Sequence, residues 1–211
     1  MLPTVEARWF MAGRPAEEVQ RWFERRGPVT NAKPRTDSYL CLPGMTSIGI
    51  KLREGKLEVK RRDIDFGLAT LGSRATGRLG LWRKWSFTVA GTDRTEAPDD
   101  DWIRIEKKRR LRKYAINGII GLTAVDPDSF PECGCSVELT EMNVRDVEWW
   151  SVGLEAFGPD EAHLRGTLEL VATTCLDSLD HPALHAENSF DYPEWLAGLA
   201  HISGGPPMPS G

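Results

Sequence analysis

Residues 48–62, IGIKLREGKLEVKRR, alternate with a period of two: Ile48, Ile50 and Leu52, a turn at Glu54 and Gly55, then Leu57 and Val59, with Lys51, Arg53, Glu58, Lys60 and Arg62 between them. A helix repeats every 3.6 residues, so this period predicts a half-buried antiparallel hairpin. The face opposite the aliphatic residues is almost wholly long cations with an occasional carboxylate. Whatever sheet this hairpin joins has one apolar side and one strongly basic side.

The same period recurs along the chain. Residues 4–12 alternate Val5, Ala7, Trp9 and Met11 against Thr4, Glu6, Arg8 and Phe10, and further strands are predicted over 36–42, around Trp85, Phe87 and Val89, over 102–116, and in the stretches CSVELTEM and EWWSVGLEAFG. Residues 102–116 are also compatible with a basic helix, since Lys and Arg are good helix formers. Residues 63–80, rich in Gly and small side chains, read as loop with irregular strand. Helices are predicted over 15–26, introduced by Pro15 and stopped at Gly27, over 159–179, where Leu164, Leu168, Val171 and Cys175 fall at helical spacing, and in YPEWLAGLA. About seven or eight antiparallel strands with helices outside make an α+β chain. The expected organisation is a single domain over 1–200 and a flexible tail over 201–211.

A chain of 211 residues, 40% hydrophobic and 27% charged, is able to bury a core. Its formal net charge of −4 hides basic stretches at 51–62 and 104–113 and acidic ones at 96–101 and 177–191, a balance that argues against a general nucleic-acid binder. Four cysteines without a signal peptide predict a reducing, cytoplasmic setting, and no apolar run is long enough to span a membrane. Cys133 and Cys135 lack a second nearby Cys or His pair for zinc, and His163, His181, His185 and His201 read as surface residues. Neither a Gly-rich phosphate loop nor a Gly-x-Ser-x-Gly elbow occurs.

Such a sheet closes either with its apolar faces inward, as in a lipocalin-like barrel, or with its polar faces enclosing a channel beneath a helical coat. The second arrangement is favoured because large residues such as Trp9, Trp85 and Trp150 suit packing under helices. The polar faces are dominated by Arg and Lys, and Glu6, Glu138 and Glu155 share the parity of those cations. Cations converging in a confined space repel one another and call for a polyanion, and Arg and Lys together suit phosphate chains.

These residues resemble the CYTH, or triphosphate tunnel metalloenzyme, superfamily. Thr4-Val5-Glu6-Ala7-Arg8 is similar to its Glu-x-Glu-x-Lys strand, Glu6 matching the second glutamate, Arg8 replacing the lysine, and Thr4 departing from the first glutamate. IKLREGKLEVK is similar to the basic hairpin, with Lys51 and Arg53 in place of paired arginines and Lys60 matching the following lysine. EKKRRLRKY is similar to the later basic strand through Lys108, Arg110 and Arg112, and FDYPEWL to a Tyr-containing C-terminal segment. The resemblance implies an eight-stranded antiparallel tunnel and hydrolysis of inorganic triphosphate or a small organic triphosphate. It implies Glu6, Arg8 and Lys60 as catalytic positions and Lys51, Arg53, Lys108, Arg110 and Arg112 as phosphate ligands. Glu6, Glu138 and Glu155 would hold Mg²⁺ or Mn²⁺. Losing the first glutamate leaves open a binding module for polyphosphate, nucleotide or a phosphorylated ligand without catalysis.

Overall fold

In strand β1 (Thr4–Ala12) Val5, Ala7 and Trp9 are almost completely buried while Glu6 and Arg8 between them are partly exposed, so the predicted alternation separates two environments. The structure is a computed structural model describing residues 3–25, 27–31, 33–88, 101–118, 121–179 and 184–202. After β1 come α1 (Glu17–Glu24), β2 (Thr30–Asn31), β3 (Arg35–Leu40), β4 (Ile48–Arg53), β5 (Lys56–Leu71), β6 (Ala75–Thr88) and β7 (Trp102–Asn117). They are followed by β8 (Gly121–Val125), β9 (Gly134–Val144), β10 (Val147–Phe157), α2 (Glu161–Leu176) and α3 (Tyr192–Ile202). Eight strands close into an antiparallel barrel in the order β7-β3-β4-β5-β6-β1-β10-β9, with β9 returning to β7. The short β2 and β8 pair with β7 outside this ring. A barrel of eight strands leaves an interior that side chains can fill or that holds one small ligand.

Apolar burial puts the helices outside the wall. Val5, Ala7, Trp9, Val137, Leu139, Trp150, Val152, Leu154 and Ala156 face outward into one core with Val19, Trp22 and Phe23 of α1 and Leu164, Leu168, Val171, Cys175 and Leu176 of α2. The Asp160 carboxylate caps α2 by accepting the amide N–H of Ala162 at 3.0 Å, and Trp22 Nε1 donates to the Cys175 carbonyl at 2.8 Å, tying α1 to α2. Trp9 and Trp150 are buried as predicted. Trp85 is not under a helix; it is partly exposed, with the Arg61 guanidinium over its ring at 5.8 Å.

The third helix lies over one mouth of the barrel. Phe10, Tyr39, Ile103, Ile105, Met142 and Val144, all of the inward parity, form a second core with Trp195 and Leu196 of α3. Phe10 and Trp195 stack at 4.2 Å between centroids, and Tyr192 lies parallel to Tyr39 at 5.3 Å. The apolar interior weighed as a rival does not fill the barrel: this second core occupies its closed end.

Residues 63–80, expected as loop with irregular strand, are the bulged strands and tight turn of the long β5–β6 hairpin. Register shifts between Arg62 and Ile64 and between Asp65 and Gly67 break the two-residue period there, and Gly67 and Gly72 supply the positive φ that the bulge and the turn need. Residues 102–116 are strand rather than helix. The short β8 lies in a stretch that sequence reading left unassigned. Val89 and the acidic residues 96–100 lie outside the described residues, as do residues 203–211 of the proposed tail. Among the described residues, no helix is long and apolar enough to cross a membrane.

Candidate functional site

Strand register stacks the inward side chains into rungs. Glu6, Glu155, Ser136 and Lys113 share one rung across β1, β10, β9 and β7; Arg8, Gly153, Glu138 and Leu111 share the next; Ser151, Thr140 and Arg109 the one after. Deeper still, toward α3, lie Met142 and Lys107, then Val144 and Ile105. From the far wall β3 contributes Arg35, Asp37 and Tyr39, β4 Lys51 and Arg53, β5 Glu58 and Lys60, and β6 Trp82 and Lys84.

These residues enclose a cavity of about 180 Å³. Among the described residues its lining includes eight basic side chains, Arg8, Arg35, Lys51, Arg53, Lys60, Lys84, Lys107 and Arg109, and five carboxylates, Glu6, Glu58, Glu138, Glu155 and Asp191, with the fully buried Asp37 behind Lys51 and Lys107. The lumen is thus polar and net cationic.

Arg8 lies flat against β10 because position 153 is glycine: a Cβ there would sit 2.6 Å from the guanidinium carbon. Its Nη1 donates to Glu138 Oε1 at 2.8 Å and to Ser151 Oγ at 3.0 Å, while the Thr140 hydroxyl donates to the same Glu138 oxygen at 2.7 Å. Arg109 reaches the other Glu138 oxygen at 3.4 Å. Burial would raise the Glu138 pKa, but Arg8 and Arg109 outweigh it and hold the carboxyl well below its usual range. Glu58 is gripped in the same way by Lys51 at 2.8 Å, Arg53 at 2.9 Å and Lys84 at 3.0 Å, and Lys51 and Lys84 outweigh burial to bring its pKa down to about 2.

Glu6 and Glu155 are direct register partners, with Lys60 bonded to Glu6 and 3.8 Å from Glu155. Lys60 lowers the Glu155 pKa, but burial together with Glu6 and Glu138 outweighs it, and the net shift is upward. Glu155 therefore keeps its proton more readily than Glu58 or Glu138. Glu6 also accepts from the Thr4 hydroxyl at 2.6 Å.

At the closed end Lys107 donates to the Tyr39 hydroxyl at 2.6 Å and to the Tyr192 hydroxyl at 2.9 Å, and Tyr39 donates to Asp37 at 3.3 Å. Burial outweighs the attraction of Asp37 and brings the Lys107 pKa to about 7; Lys51, buried beside the same carboxylate, falls to about 8. A lysine that changes charge near neutrality can give or accept a proton.

Of the residues singled out from sequence, the structure brings Glu6, Arg8, Lys51, Arg53, Lys60, Glu138 and Glu155 together around the cavity. Lys108, Arg110 and Arg112 are elsewhere. Lys108 is exposed, Arg110 pairs outside the wall with Glu24 of α1 and with Glu141, and Arg112 is completely buried with its guanidinium over the Phe23 ring at 5.0 Å. The β7 side chains that line the cavity are Lys107 and Arg109. Sequence reading also missed Arg35, Glu58, Lys84 and Asp191. The alternation of Arg35, Asp37 and Tyr39 and the place of Glu58 among the hairpin cations were the available signals.

Mg²⁺ commonly takes one or two protein carboxylates and completes its shell with water and substrate phosphates. The Glu6 and Glu155 pair, adjacent in register and sharing Lys60 as its close cation, fits that pattern; Glu138, already held by two guanidinium groups, does not. Among the described residues no three or more His, Cys, Asp or Glu side chains are grouped to form an all-protein metal cage. Cys133 and Cys135 are free thiols, His163 pairs with Asp160 and His185 is exposed. His181 and the His201 side chain lie outside the described residues.

No family model matches the chain, and no curated protein matches it. Among solved structures it is similar to the S. pombe RNA triphosphatase Pct1, with a TM-score of 0.39 and 11% identity, over 87% of this chain and 84% of that one.

Proposed function

We propose that the tunnel binds a linear triphosphate chain and hydrolyses it with the help of Mg²⁺ or Mn²⁺. The observation that carries this reading is the cavity closed at one end by α3, in which eight basic side chains outnumber five carboxylates. Confined cations at an effective dielectric of about 20 repel one another by several kcal/mol, and a polyanion relieves that repulsion. Arg8, Arg53 and Arg109 offer forks that grip two phosphate oxygens, while Lys51, Lys60, Lys84 and Lys107 act as point charges. The likeness of residues 4–8 and 51–60 to the triphosphate tunnel strands points the same way.

Glu6 and Glu155 would hold the divalent ion, which neutralises charge on the phosphate oxygens when bound. Glu138 has a different part: it fixes Arg8 and Arg109 in orientation so that little reorganisation is needed when the phosphates arrive. Lys107, with a pKa of about 7 and its two tyrosine partners, is placed to hold or release a proton at the inner end.

Thr4, where the family strand has a glutamate, favours a second reading: a module that binds triphosphate or polyphosphate without turnover. Phosphate release from tripolyphosphate with Mg²⁺ or Mn²⁺ separates the two. Hydrolysis by the wild-type protein and its loss in Glu155→Gln are expected. Calorimetric binding that survives chelator, with no release above the Glu155→Gln background, selects the binding module instead.

A further inference from the structure

We infer that the tunnel mouth opposite α3 holds a subsite for a flat, unsaturated ring carried on the end of the triphosphate, with Phe130 as the surface on which the ring stacks. This rests on the reading of the tunnel as a triphosphate site and names what the triphosphate is attached to. A second cavity begins where the first ends: Glu155 lines both, and beyond it the walls are Phe130, Pro131, Phe157 and Pro159, with Lys113 and Ser136 at the side. The character of the wall changes within one rung. Inside Glu155 charged side chains dominate the lining; outside it Phe130, Pro131, Phe157 and Pro159 stand beside Lys113, Glu132 and Ser136.

Phe130 is 96% exposed, the most exposed of the large hydrophobic side chains among the described residues. It is not the tip of a loose loop. The Ser129 amide and hydroxyl donate to the Asp126 carbonyl at 2.9 and 2.5 Å, the Asp128 amide donates to the Asp126 carboxylate at 2.8 Å, and Lys113 donates to the Ser129 carbonyl at 2.5 Å. Pro131 follows and restricts the next turn of the chain. The Lys113 ammonium lies 5.3 Å from the ring centroid, so a cation of the outermost rung is seated beside the ring that would meet the organic end.

Inorganic triphosphate has no use for an aromatic ledge outside Glu155. A phosphate chain bearing a ring does: one strand step from Glu155 to Phe157 covers about 7 Å, room for a sugar-sized spacer between the outermost phosphate and the ring. Ser136 and Glu132 at the edge offer an acceptor and donor for polar ring substituents.

Calorimetric titration of ATP and of tripolyphosphate into the wild-type protein, Phe130→Ala and Phe130→Trp tests this. ATP is expected to bind Phe130→Ala about tenfold more weakly than wild type, the usual effect of removing one base-stacking side chain, and to bind Phe130→Trp at least as well as wild type. Tripolyphosphate is expected to bind all three equally. If ATP affinity is the same with and without the phenyl ring, or if both ligands weaken together, the ring subsite is overturned while the triphosphate tunnel stands. If tripolyphosphate does not bind the wild-type protein, the tunnel reading itself falls, and the subsite with it.

Discussion

Lys108 and Arg109 are neighbours in sequence and opposites in the barrel. Alternation along β7 was legible, but which parity faces the lumen was not. Ile103 and Ile105 suggested that odd positions face an outer apolar layer, as Val5 and Ala7 do on β1. In fact each face of β7 changes character part-way: odd positions run from Ile103 and Ile105 against α3 to Lys107 and Arg109 in the lumen, and even positions run from exposed Arg104 and Lys108 to Arg110 and Arg112 beside α1. Residues on β1, β4, β5, β9 and β10 escaped this error because their faces stay uniform along the part that lines the cavity. The assignment makes a sharp prediction. Arg109→Ala removes a lumen cation and one of the two guanidinium groups on Glu138, and tripolyphosphate affinity by calorimetry is expected to fall about tenfold or more. Lys108→Ala, one residue away, is expected to leave it within about twofold.

At the scale of elements, α3 turns an open barrel into one closed at the end where Lys107 lies. FDYPEWL was readable as a Tyr-bearing helix start, but a sequence cannot say that its rings enter a barrel mouth, because the partners Phe10, Tyr39 and Met142 come from three distant strands. Helix placement is also fixed by Arg62, which is bonded to Asp191 just before the helix. Trp195 stacks on Phe10 and meets Trp149 and Tyr192 edge-on. Trp195→Ala opens a cavity among these rings, and a loss of about 3–5 kcal/mol is expected in denaturant unfolding, the usual range for a buried tryptophan. The β5–β6 hairpin was illegible for a different reason: two bulges reset the parity of its strands, and periodicity is the only strand signal a single sequence carries.

The whole molecule is acidic overall while its lumen is cationic, and this separation has a pH signature. Lys107 and Lys51 have pKa values of about 7 and 8 in the folded chain against 10.5 for an ordinary lysine. They face Asp37, Arg35, Arg53, Glu58, Glu138 and Arg8 across the lumen. Between about pH 7 and 10.5 the unfolded chain therefore binds more protons at these sites than the folded one, so their contribution to stability rises with pH in that window, by at most ~1.4 kcal/mol per unit for each lysine. The measurable range ends near pH 8.5, because burial raises the thiols of Cys41 and Cys135 and their ionisation on unfolding acts in the opposite sense above it. Unfolding free energy is expected to increase from pH 7 to 8.5 in the wild-type protein and to increase less in Lys107→Met. A polyanion in the lumen reverses the balance by favouring the charged lysines, so binding at pH 8.5 must take up protons. Calorimetry of tripolyphosphate in buffers of different ionisation enthalpy reads that uptake directly. Subtracting the Lys107→Met result removes the ligand's own proton exchange, and a difference approaching one proton per tripolyphosphate is expected. A difference near zero would mean that Lys107 does not sense the bound phosphates, and that the charge of the closed end is not what draws them in.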